Sequence, residues 1–108
     1  MDFAQLTQRA LEIRARYAAR ERAAGGREWS REELMQGFVV DVGALMKLVM
    51  AKSGRRDVPE VDAKLAHELS DCLWSVLVLA QLYGVDLERE FLKTMTELEQ
   101  RLANPSRP

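Results

Sequence analysis

The chain has 108 residues, 47% of them hydrophobic and 31% charged, with a formal net charge of −1. That size is one domain, the composition excludes disorder, and the charge balance asks for neither nucleic acid nor an anionic membrane as partner. A lone cysteine excludes an internal disulfide and fits a reducing cytoplasm.

The opening, MDFAQLTQRALEIRARY, is amphipathic rather than a signal sequence. No unbroken apolar run reaches the roughly 20 residues of a membrane span. Over 2–24, Phe3, Leu6, Ala10, Ile13 and Tyr17 recur at helical spacing, and Gly25-Gly26 closes this first helix. Its arginines interleave with Glu12 and Glu21, which describes a solvated face rather than a nucleic-acid stripe.

Ser30-Arg31-Glu32-Glu33 is a capping box, so a second helix is expected from about Arg31 to Ser53. Leu34, Phe38, Val42, Leu45 and Val49 form its apolar stripe, and Asp41 shares the angular position of Leu34 and Leu48. Met35, Met46 and Met50 make a second apolar edge, away from Asp41, of the kind that forms a dimer interface. Gly54 ends the helix, and Pro59 suits the first turn of the next.

The third helix, centred on Leu65–Tyr83, is the most apolar, with a stripe of Val61, Leu65, Leu69, Cys72, Val76, Leu79 and Tyr83. Near its start it carries Glu68 and Asp71, one turn apart. A carboxylate against a core needs a proton, a partner or a metal. Together with Asp41 on the facing stripe, the three acids fit a Mg²⁺ or Mn²⁺ site or a buried hydrogen-bonded cluster. Trp29 suits a hydrophobic staple or an interface; Trp74 is expected to pack on the first helix or a second subunit. His67 is expected at the surface, rotated away from Glu68, and Cys72 reads as a structural thiol. Gly84 ends the helix. Asp86 can cap a fourth one, whose face is Leu87, Phe91, Met95, Leu98 and Leu102; 105–108 reads as a frayed tail. Four helices with short loops make an all-α bundle over 1–104, and dimerisation is expected to complete it.

The order of motifs resembles the MazG-like, all-α nucleoside triphosphate pyrophosphohydrolases. Its carriers are the Trp29-Ser30 helix start, Asp41-Val42-Gly43-Ala44-Leu45, Glu68-Leu69-Ser70-Asp71-Cys72-Leu73, Gly84-Val85-Asp86-Leu87, and Phe91 through Arg101, covering 29–102. The family pattern is E-x-x-E on helix 2, E-x-x-D on helix 3, and a last helix ending in K…N…R. This resemblance implies hydrolysis of a (d)NTP to (d)NMP and pyrophosphate using Mg²⁺ or Mn²⁺; a cytoplasmic homodimer or homotetramer is expected. It implies Asp41, Glu68 and Asp71 as metal-holding catalytic residues. Trp29, Lys52 and Arg101 are the expected substrate contacts. Ala44 replaces the second helix-2 acid, Thr94 the lysine and Leu98 the asparagine. Those departures leave two alternatives: a homologue that binds nucleotide or metal with impaired catalysis, or a helical oligomerisation module.

Overall fold

A computed structural model describes residues 1–104; the tail expected at 105–108 lies outside the described residues. Four helices follow in order, α1 (Phe3–Ala23), α2 (Arg31–Lys52), α3 (Val61–Leu82) and α4 (Leu87–Ala103), with no strand among the described residues. Side chains close the starts of three of them. Asp2 and Ser30 each form a full capping box, with Gln5 and Glu33 reaching back, and Asp86 accepts from the Arg89 amide. The ends are also built alike. Gly25, Gly54 and Gly84 each adopt positive φ, and the next amide bonds back to the carbonyl of Glu21, Met50 or Ala80.

The start of α3 differs from expectation. Pro59 precedes the helix in a turn, and Glu60, at φ 55°, is the N-cap without a side-chain bond. Proline followed by a left-handed residue is the order a type II turn prefers, so Pro59 serves the turn rather than the helix.

α2 and α3 are the main packed pair, α1 lies along α3, and α4 makes only marginal contact with the rest. Two contacts set the α2–α3 pair antiparallel: the Arg31 guanidinium sits 4.8 Å from the Tyr83 ring centre, and Lys52 bonds Asp62 at 2.6 Å. The core is small: Ala10, Leu34, Leu77 and Val78, with Phe3, Trp74, Leu79, Leu82 and Leu87 packed around it.

The expected stripes are partly displaced. On α2 the buried line is Leu34 and Leu48 with Asp41 between them, whereas Val42 and Val49 are exposed. On α3 the buried residues are Ser75, Leu77 and Val78, whereas Leu69 and Tyr83 are more than half exposed. α3 is apolar on nearly all sides, and its main neighbours are α2 and α1.

Much apolar surface stays uncovered. Its Cα radius of gyration, 17.5 Å, exceeds the roughly 13 Å of a compact domain this long. No residue of α4 is buried, and Leu102 is 79% exposed. α2 is long and apolar enough by length and composition to cross a membrane, with 11% of that stretch buried. The uninterrupted apolar run stays short, because Asp41 and Lys47 break it without making the helix polar. An aspartate midway along it argues against a span, because a carboxylate at the bilayer centre costs about 3 kcal/mol.

Candidate metal and nucleotide site

The antiparallel register brings the acids together. Asp41 lies ten residues in from Arg31, and Leu73, within a turn of Asp71, lies ten residues back from Tyr83. One oxygen each of Asp41, Glu68 and Asp71 falls within 4.8 Å of the others, and all three residues are half-buried. Three carboxylates converging in this way would offer the hard oxygen donors that Mg²⁺ or Mn²⁺ takes.

A second feature makes the cluster fit a cation. Glu68 Oε2 is buried and accepts no hydrogen bond from the described residues. Such an oxygen costs on the order of 1–3 kcal/mol unless something compensates it, and no nearby donor does so. Asp71 is held from outside: His67 Nε2 lies 3.1 Å from its Oδ2 across one turn of α3. His67 is exposed, as expected, but it has this partner. Its i, i+4 spacing to Asp71 was the signal in the sequence.

Next to the cluster, α1 stands off α2 and leaves a cavity of about 580 Å³ that α3 closes. Asp41 and Asp71 line it together with Tyr17, Trp29 and Trp74. The aromatic walls are fixed. Trp74 Nε1 donates to the Ala10 carbonyl at 3.0 Å, and the Tyr17 ring meets Trp74 edge-on at 6.0 Å. Trp29 lies against α2 because residue 37 is glycine; a Cβ there would come within 3.2 Å of the ring. On the α1 side, Arg14 pairs with Glu28 at 3.1 Å. Arg14, Tyr17 and Glu28 were not expected as site residues, since a helix wheel cannot tell a solvated arginine from one at a cavity.

The other expected contacts lie elsewhere. Lys52 is three turns beyond Asp41, about 16 Å along the axis, and is paired with Asp62. Arg101 is exposed near the end of α4, and Thr94 and Leu98 are exposed along the same helix. Ala44, one turn past Asp41 and half-buried, leaves the fourth acid position apolar. At Cys72, burial first, and then the charges of Asp41, Glu68 and Asp71, push the thiol pKa up.

A family model for the MazG nucleotide pyrophosphohydrolase domain matches residues 32–104, more than half of the chain. No curated protein and no solved structure matches it significantly.

Proposed function

Because the chain belongs to the MazG nucleotide pyrophosphohydrolase domain family, we propose that it hydrolyses a (deoxy)nucleoside triphosphate between the α and β phosphates. The products are a monophosphate and pyrophosphate. The family acts on nucleoside triphosphates and is generally divalent-metal dependent. The observation that carries this reading is the convergence of Asp41, Glu68 and Asp71, with Glu68 Oε2 buried and unbonded.

Asp41, Glu68 and Asp71 would hold Mg²⁺ or Mn²⁺. When bound, the metal neutralises phosphate charge and lowers the pKa of a water. Glu68 is the pre-set member: its buried oxygen has no competing donor among the described residues. His67 orients Asp71 by occupying one oxygen and leaving the other for the site. The adjoining cavity keeps the rest of the nucleotide against apolar walls. Lys52 would reach phosphate at the acids only through movement or through a second copy of the chain.

A homodimer or larger assembly is part of this reading. α2 leaves Val39, Val42 and Met46 uncovered, α3 leaves Leu69 and Leu73, and α4 leaves Phe91. A second copy covers apolar surface of this extent without exposing new apolar area.

The test is product analysis with a panel of (d)NTPs and Mg²⁺ or Mn²⁺. Pyrophosphate and monophosphate are expected, and Glu68→Gln is expected to lower turnover at least a hundredfold, the upper range for loss of an interaction at a metal site. Release of inorganic phosphate instead, or no turnover by folded protein, would overturn the assignment.

A second reading is a nucleotide-binding homologue with impaired hydrolysis. Ala44 supports it by removing one carboxylate beside Asp41. Stabilisation by nucleotide and metal without turnover would select this reading.

A further inference from the structure

We infer that Arg14 is the phosphate-binding cation of this chain, held in reserve by an exchangeable pairing with Glu28. The inference rests on the nucleotide reading above and names the residue that meets the phosphates at that site. Both residues lie before residue 32 and so outside the segment matched to the family. They are a property of this chain's own first helix and the connection that follows it.

Charge comes first. The cavity beside the acids is lined by four carboxylates, Glu21, Glu28, Asp41 and Asp71, and by one cation, Arg14. A divalent ion at Asp41, Glu68 and Asp71 offsets part of that negative charge. A pyrophosphate or triphosphate bound to the ion brings in more negative charge than the ion removes, and at close range the carboxylates repel it. Such an anion is retained where a further cation answers it. Lys52 lies three turns from Asp41 and is bonded to Asp62. Arg14 is the residue of the cavity wall that can supply the charge.

Position agrees with charge. Arg9, Arg16, Arg20 and Arg22 of α1 are exposed to solvent, whereas the Arg14 side chain is only 21% exposed. It shares the cavity wall with Asp41 and Asp71, which also belong to the acid cluster. A cavity of 580 Å³ is about 10 Å across, so phosphates held at the acids through a metal come within reach of this long side chain. Its pairing joins one guanidinium nitrogen to Glu28 Oε1 at 3.1 Å. A guanidinium has five N–H donors in a fork that matches phosphate, so the pairing leaves donors over. Glu28 is the member that yields. It is 43% exposed and lies in residues 26–30, which form no helix, so water solvates it when Arg14 turns to phosphate.

The experiment is calorimetric titration of the whole chain with two probes, Mn²⁺ alone and pyrophosphate at saturating Mn²⁺. Arg14→Gln is expected to weaken pyrophosphate at least about tenfold, the size of a lost hydrogen bond to a charged group. The same variant should bind Mn²⁺ alone as well as the native chain or about twofold more tightly, because a positive charge near the acids is gone. Arg14→Lys keeps the charge without the fork and should fall between the two. Glu28→Gln frees the guanidinium and should tighten pyrophosphate about threefold. A pairing that only braces the fold predicts the reverse for Glu28→Gln, and circular dichroism checks that each variant stays helical. Unchanged pyrophosphate affinity in Arg14→Gln, equal weakening of both probes, or weaker pyrophosphate in Glu28→Gln would overturn the inference. Those results leave the nucleotide reading standing when the native chain binds pyrophosphate with Mn²⁺. A native chain that binds Mn²⁺ but no pyrophosphate sinks both.

Discussion

Asp41 occupies a position where an apolar residue would otherwise complete a line of leucines on α2. Seven residues on either side stand Leu34 and Leu48, both buried. Placing a carboxylate there is costly for stability, and the neighbouring Glu68 and Asp71 raise that cost by repulsion. Ala44 limits it by keeping the next turn uncharged. The substitution Ala44→Glu is therefore expected to act in two directions. Without metal it should lower the melting temperature, because a fourth carboxylate joins three. With Mn²⁺ it should restore the melting temperature and tighten metal binding about tenfold, a change that calorimetric titration can read. Unchanged metal affinity would mean that residue 44 does not face the cluster.

At the scale of elements, the start of α2 fixes where Trp29 and Asp41 sit. Ser30 accepts from the Glu33 amide at 3.1 Å, and Glu33 accepts from the Ser30 amide at 3.0 Å. Ser30→Ala is expected to cost about 1 kcal/mol of stability, read by urea unfolding. The Ser30 amide first, and Arg27 after it, hold the Glu33 carboxyl below its ordinary value of 4.5. The sign follows from that direction. Its stabilising effect is fully present above 4.5 and disappears as pH falls through the lowered folded value. The stability difference between the native chain and Glu33→Gln should accordingly be largest near neutrality and vanish in acid. A difference that grows in acid would exclude this cap as its source.

For the molecule as a whole, the surface left uncovered decides the assembly. The exposed apolar sides of α2 and α3 lie away from the cavity, and the stripe of α4 is likewise open. Light scattering is expected to give at least twice the mass of one chain. The pair Met46→Glu with Leu73→Glu should drive the protein to monomer, because each charge would meet apolar surface of the partner or its own symmetry mate. A native monomer would show that these faces have some other function.

Local chemistry was legible in the sequence because it depends only on neighbours along the chain. The Ser30 and Asp86 caps, the closing glycines, the four helices and the shared angle of Asp41, Leu34 and Leu48 all follow from spacing and side-chain type. The three acids come together only through the register of α2 on α3, which the Arg31–Tyr83 and Lys52–Asp62 contacts mark. Burial was less legible. α2 and α3 are apolar nearly all round, and periodicity alone could not say that Val42, Val49 and Leu69 would face outward while Ser75 went inside. Only the tertiary packing, with α1 along α3 and apart from α2, decided those sides. The same packing opened the cavity beside Trp29 and brought Arg14 and Glu28 to it, because a gap between helices depends on side chains distant in sequence.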